Sequence, residues 1–188
     1  EIYTLSLHDA LPISSASIFA DADPFAGEPA QPIRPRCAAL CGEEVLRRSV
    51  SSLWIGPSLS LIEQLCVRSY LDHGHEFHLY TYRPVANVPE GATLRDAREI
   101  LPESSVYRTK VNGLAAFSDY FRWSMLARQG GMWVDMDMIC IRPFDFDREL
   151  VFGVESANDG VGNAILGFPE GHFLAAILAD ACENVNRF

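Results

Sequence analysis

Residues 114–141, LAAFSDYFRWSMLARQGGMWVDMDMICI, carry the strongest structural signal of this 188-residue sequence. Apolar side chains recur at helical spacing from Leu114 to Gln129 and predict an amphipathic helix, which Gly130 and Gly131 would end. Residues 132–141 are mostly apolar and predict a strand. A helix that leads through a glycine turn into a buried strand is typical of layered α/β folds.

Strands and helices alternate on both sides of this stretch. Because such alternation favours a parallel sheet covered by helices, we predict an α/β fold with a mostly parallel sheet and with ligands at the carboxyl ends of its strands. Neither a GxGxxG nor a Walker A motif follows a strand, so neither phosphate-binding loop is expected. The other predicted elements are strands at 53–55, 76–82 and 151–154, helices from Ser58 or Ser60 to about Asp72 and at 173–185, and a connection at 84–104 with a short helix near 94–100.

The composition excludes several classes of protein. Hydrophobic residues make up 48% of the chain, which argues against wholesale disorder. No apolar run reaches the roughly 18 residues that a membrane span needs. The net charge of −10 disfavours nonspecific nucleic-acid binding, which depends on Lys and Arg. The five Cys lie at scattered spacings, unlike a disulfide framework.

The beginning of the chain differs from the rest. Residues 1–14, EIYTLSLHDALPIS, match the translation of a common sequencing adapter, and the run lacks the Lys or Arg of a signal peptide, so we interpret it as an artefact. Residues 15–51 are rich in Ala, Ser and Pro and predict a disordered or weakly ordered tail. We expect the folded domain to occupy residues 52–188 and to be truncated at its C-terminus.

The acidic residues of the central stretch indicate chemistry. Asp135 and Asp137 lie two apart at the end of the apolar strand residues 132–134, which places both on one side. Two adjacent like charges call for a cation or an Arg, and oxygen ligands suit Mg²⁺ or Mn²⁺. Asp119 and Arg122 lie three apart and share a helix face. Taken singly, these pairs are also compatible with an ordinary strand end and a solvated surface pair.

Four motifs follow one another along the chain, namely Trp54-Ile55-Gly56, Ser118-Asp119-x-x-Arg122, Gly130-Gly131-x-Trp133 and Asp135-x-Asp137. In this order they resemble glycosyltransferase family 32, over about residues 52–185. The resemblance implies a GT-A nucleotide-diphospho-sugar transferase fold, a divalent Mn²⁺ or Mg²⁺, and transfer of a hexose with retention from a UDP- or GDP-sugar to a glycan or lipid-linked acceptor. It also implies work in the bacterial cytoplasm, with a lipid-linked acceptor bringing the enzyme to the inner membrane face.

The resemblance also implies roles for individual residues. Without the resemblance, the sequence is equally compatible with a core position for the aromatic ring of Trp54. It is equally compatible with a plain turn position for Asn163, in the segment 162–168. Members of the family continue beyond the last residue of this chain, often with a segment that completes the metal and phosphate site. The implied roles are base stacking for Trp54, donor-sugar contacts for Asp119, Arg122 and Asn163, ribose and sugar contacts with or without the metal for Asp135, and the main metal ligand for Asp137.

Two other functions remain open. A phosphatase of the haloacid dehalogenase type also places Asp-x-Asp after an apolar strand, but it needs a downstream Lys, whereas the one Lys of this chain, Lys110, lies upstream. A catalytically degenerate sugar-nucleotide-binding module would share every motif of the transferase but would not catalyse the transfer.

Overall fold

The computed structural model describes residues 4–6, 49–110, 113–145, 148–155 and 160–185. Most of the predicted tail, residues 15–48, lies outside these ranges. Of the segment interpreted as adapter, the described part is Thr4–Ser6, a strand that pairs with a strand at Met138–Cys140. No helix among the described residues is long and apolar enough to cross a bilayer.

A six-stranded sheet forms the centre of the fold. The elements along the chain are β1 (Thr4–Ser6), β2 (Val50–Trp54), α1 (Leu61–Asp72), β3 (Phe77–Thr81), β4 (Thr93–Asp96), α2 (Ala115–Gln129), β5 (Gly131–Val134), β6 (Met138–Cys140), β7 (Val151–Glu155), β8 (Gly160–Phe168) and α3 (Phe173–Val185). The strands of the sheet lie in the order β4-β3-β2-β5-β8-β7. The pairings among β4, β3, β2 and β5 are parallel, whereas β8 runs antiparallel to both β5 and β7. This confirms the predicted α/β class with a mostly parallel sheet.

Each face of the sheet carries its own hydrophobic core, because successive side chains of a strand point to opposite faces. In β5, Met132 and Val134 pack with α1 on one face, while Trp133 packs with α2 on the other. The α2 core also takes in residues of α3 and the aromatic side chains of Phe117 and Phe121. The two cores fix α1 and α2 on opposite sides of β5, and the functional residues of both helices therefore meet at its end.

Three local predictions differ from the structure. The strand predicted at 132–141 is divided into β5 and β6 by a turn at residues 135–137, which the Met138 N–H closes by donating to the Asp135 carbonyl at 3.2 Å. The helix predicted near 94–100 is β4 followed by a short 3-10 helix, Ala97–Glu99, because pairing with β3 holds the first residues extended. The third difference is β8, which the sequence analysis did not predict as a strand; its Gly-rich sequence becomes a strand through pairing with β5 and β7.

The glycine turn between α2 and β5 supports a stability prediction. Gly130 and Gly131 both have positive φ, at 61° and 91°, but a Cβ on Gly130 would lie 2.4 Å from the Glu170 backbone nitrogen, whereas one on Gly131 would meet nothing within 4 Å. An Ala at either position adds about 1–3 kcal/mol of backbone strain. We expect Gly130→Ala to lower the free energy of unfolding clearly more than Gly131→Ala in urea titrations. Equal losses would show that the contact with Glu170 is unimportant.

Candidate functional site

The Asp-x-Asp segment lies in the turn that follows β5, at the carboxyl end of the parallel strands. The Asp135 N–H donates to the Ala164 carbonyl of β8 at 2.9 Å. The Asp135 carbonyl accepts from the Cys66 thiol of α1 at 3.5 Å. Cys66 is fully buried, and burial raises the pKa of its thiol, so the group remains a neutral donor. The turn is thus tied to the sheet on one side and to α1 on the other.

Arg122 occupies the centre of the site and is 4% exposed. Its Nη2 lies 3.0 Å from Asp135 Oδ1 and 3.3 Å from Asp119 Oδ1. Its Nη1 donates to the backbone carbonyl of Asn163 in β8. The Asp119–Arg122 pair is therefore built on a buried guanidinium and joined to Asp135, with Asp119 partly exposed, and is not an isolated solvated surface pair.

Trp133 contacts two of the three charged residues of this network, Arg122 and Asp135. Its indole Nε1 donates to Asp135 Oδ1 at 2.8 Å. The guanidinium carbon of Arg122 lies 5.2 Å from the centre of the Trp133 ring, within the range of a cation–π contact. The sequence motif contained this Trp, but the sequence analysis gave it no role.

Asn163 lies within β8 and not in a turn. Its side-chain Nδ2 donates to Asp119 Oδ1 at 3.0 Å, and its carbonyl accepts from Arg122. Asn163 thus joins the β7–β8 hairpin to the helix that carries the Asp-x-x-Arg motif.

A pocket of about 370 Å³ opens at the carboxyl ends of β2 and β5. Four of the residues predicted from sequence line it, namely Trp54, Arg122, Asp135 and Asp137. The other two, Asp119 and Asn163, are absent from its lining and contact Arg122 from outside. The remaining lining residues are Ser52, Leu53, Glu63, Ala115, Ser118, Trp133 and Met136.

Trp54 forms a fixed aromatic wall of this pocket. The ring is half-buried and packs against the α1 core, while its Nε1 donates to the Ser58 carbonyl at 3.1 Å. A Cβ on Gly56 would lie 2.9 Å from that nitrogen, so the indole occupies the space that a side chain at Gly56 would need. Trp54 is therefore both a partial core residue and a pocket residue.

Glu63 is a pocket residue that the sequence analysis missed. It is the N3 residue of α1, where its carboxylate accepts from the Ser60 N–H at 2.6 Å in a capping box. The Ser-x-x-Glu spacing signalled that helix start. Only the tertiary structure shows that the same side chain lines the pocket.

The electrostatics of the site favour an additional cation. Burial raises the pKa of the Asp135 carboxyl, opposed by Arg122 and by the Trp133 N–H, so burial penalises the charged form of this carboxyl. Asp137 lines the same pocket and is half-buried. Carboxylate oxygens suit Mg²⁺ or Mn²⁺, which bind through one or two carboxylates together with substrate phosphates. Asp135 and Asp137 fit that pattern, although no group of three or more His, Cys, Asp or Glu among the described residues could hold a metal by itself.

Comparisons with known proteins agree with this geometry. Residues 69–153 match a protein family described as a glycosyltransferase sugar-binding region containing a DXD motif. Among solved structures, the chain is similar to one titled "PaToxG Glycosyltransferase", with a TM-score of 0.52 and 13% identity over 74% of this chain. The similarity spans 60% of that structure's length and shows a common fold, which confirms the expected GT-A type. No curated protein matches the sequence.

Proposed function

We propose that this chain is a glycosyltransferase that takes a hexose from a nucleotide-diphosphate sugar with the help of Mn²⁺ or Mg²⁺. One observation carries the proposal: buried Arg122 is paired with Asp135 in a pocket that also contains Asp137 and the aromatic wall of Trp54. The DXD region matched by the family supports the same function.

The pocket offers a place for each part of such a donor. The face of Trp54 suits stacking with the base, which we propose to be uracil or guanine. Asp137, with Asp135, would hold the cation against the diphosphate oxygens. Asp135 would also accept from hydroxyls of the ribose and the sugar. When bound, the cation supplies positive charge that stabilises the diphosphate leaving group.

Arg122 would place a fixed positive charge close to the donor. Because Asp119 and Asn163 hold the guanidinium and its surroundings, the charge needs little reorganisation when the diphosphate leaves. In the proposed reaction, the bond from the anomeric carbon to the diphosphate breaks. A new bond forms from that carbon to the acceptor oxygen with retention, and the hydroxyl proton of the acceptor is released.

For the acceptor, we propose a glycan or a lipid-linked saccharide, met in the bacterial cytoplasm where nucleotide sugars are made. A lipid-linked acceptor would bring the enzyme to the inner face of the membrane. The alternative function, a phosphatase of the haloacid dehalogenase type, has less support. Such an enzyme needs a Lys, and Lys110 is exposed and does not line the pocket.

The direct test is hydrolysis of the donor, with water in place of the acceptor. UDP-glucose, UDP-galactose and GDP-mannose are each incubated with the chain and Mn²⁺, and the released nucleoside diphosphate is measured. We expect release with at least one donor and its loss in EDTA. Binding of a donor without release would instead identify a sugar-nucleotide-binding module, and no binding of any donor would contradict the proposal.

A further inference from the structure

We propose that Trp133 is a positioning residue that orients Asp135 for the donor. Its indole N–H and the Arg122 guanidinium together hold one oxygen of the Asp135 carboxylate, and this turns the other oxygen toward the ligand. The inference rests on the proposed function, because it concerns the same pocket, but its geometric part can be tested without a ligand.

The two donors converge on a single atom. Trp133 Nε1 lies 2.8 Å and Arg122 Nη2 lies 3.0 Å from Asp135 Oδ1. Within the part of the chain that the structure describes, the recorded contacts of this carboxylate are all made by Oδ1. A carboxylate offers about four lone-pair sites on its two oxygens, so Oδ2 retains its capacity to accept. Because one donor belongs to β5 and the other to α2, the two together also fix the plane of the Asp135 carboxylate.

Trp133 is a rigid donor because the fold holds it on all sides. The residue is 1% exposed, and its backbone pairs with Ser51 of β2 and with Leu166 of β8. Its ring lies 6.2 Å from that of Phe121, centre to centre. The central strand therefore holds the Trp133 indole N–H in place beside Asp135, the first residue of the Asp-x-Asp turn. The N–H cannot follow Asp135 into other rotamers.

The same indole also supports Arg122. The guanidinium carbon lies 5.2 Å from the ring centre, and the buried Arg122 Nε has no hydrogen-bond partner in the described structure. The contact with the aromatic face of Trp133 thus helps to keep the Arg122 guanidinium beside Asp135. Loss of the N–H and loss of the ring are separable, because Phe keeps an aromatic face and removes the donor.

The hydrogen bond can be observed directly by NMR. The chain has three Trp, so a sample labelled with ¹⁵N at Trp gives three indole signals, and Trp133→Phe identifies the one from Trp133. We expect that signal to lie downfield of the Trp123 signal and to move upfield in Asp135→Ala. An indole signal that Asp135→Ala leaves in place would overturn the proposal.

The consequence for the ligand is measured by calorimetric binding of UDP or GDP in the presence of Mg²⁺. Removing a residue that orients a metal or substrate ligand typically costs about 10- to 100-fold in affinity or activity, so we expect a loss of that size in Trp133→Phe. Trp123→Phe is the matched control, because Trp123 is also buried but packs on Phe168 away from the pocket. We expect its affinity to stay within about twofold of the original, since Trp123 does not line the pocket and residues without shared partners couple weakly.

A double-mutant cycle separates positioning from general packing. If Trp133 acts through Asp135, then Trp133→Phe adds no further loss of affinity in the Asp135→Ala background. Additive losses, or a loss equal to that of Trp123→Phe, would overturn the proposal. A chain that binds neither nucleotide with Mg²⁺ would contradict the proposed function, whereas the NMR result would still decide the geometry around Asp135.

Discussion

Asp137→Asn is expected to abolish metal-dependent release of nucleoside diphosphate while leaving the fold intact. The substitution keeps the size of the side chain and removes the negative charge that would hold the cation against the diphosphate. Metal ions supply several kcal/mol of transition-state stabilisation, so a loss of about 4 kcal/mol would lower kcat about a thousandfold. Because Asp137 is half-buried in a turn, we expect the urea midpoint to change little. The measurement is kcat for donor hydrolysis as a function of Mn²⁺ concentration.

Asp145→Asn provides the matched control for this experiment. Asp145 is exposed, lies beyond β6 and does not line the pocket, so the same change of charge there should leave hydrolysis unchanged. Hydrolysis by Asp137→Asn that still rises with Mn²⁺ as in the unmodified chain would contradict the assignment of Asp137 as the metal ligand.

Arg122→Met is expected to lower both stability and turnover. It leaves Asp119 and Asp135 without their shared cation, and removing one partner of a buried pair costs about 3–5 kcal/mol. Because the Asp119 side chain is 38% exposed, solvent screening places the expected loss near the lower end, about 3 kcal/mol at pH 7. Urea titration measures it. The loss should shrink at acidic pH, since burial raises the pKa of the Asp135 carboxyl and its protonation removes an unpaired buried charge.

Arg68→Met is the control for stability. Arg68 forms a similar helical ion pair with Asp72 at 3.0 Å, but both side chains are more than half exposed. Exposed pairs contribute about 0–1 kcal/mol, so the two Arg variants should differ by about 2 kcal/mol or more. Equal losses would show that the buried network does not stabilise the fold.

Arg122→Lys separates charge from geometry. A Lys keeps the positive charge but offers a point ammonium in place of the planar fork that reaches Asp119, Asp135 and the Asn163 carbonyl together. We therefore expect stability between those of Arg122→Met and the unmodified chain, with donor hydrolysis still strongly reduced. This outcome would show that the direction of the guanidinium matters in addition to its charge.

The elements that the sequence predicted well are those governed by local physical chemistry. The helical spacing from Leu114 to Gln129 and the glycines that follow correspond to α2 and the turn into β5, because periodicity and positive φ are properties of neighbouring residues. The alternation of strands and helices likewise indicated the sheet. The division at residues 135–137 was missed, because apolar residues on both sides of Asp135 and Asp137 continue the strand pattern, and the partners that hold the turn, Cys66 and Ala164, are distant in sequence.

The candidate site shows the same division between local and distant information. The sequence by itself determined which residues carry charge and that Asp119 and Arg122 share a helix face, since both follow from residue type and spacing. Only the tertiary structure buried Arg122 against Asp135 and brought Asn163, 44 residues further along the chain, onto Asp119. The physical reason is that β8 pairs with β5 over a long sequence separation, so the contacts of the site exist only once the sheet has formed.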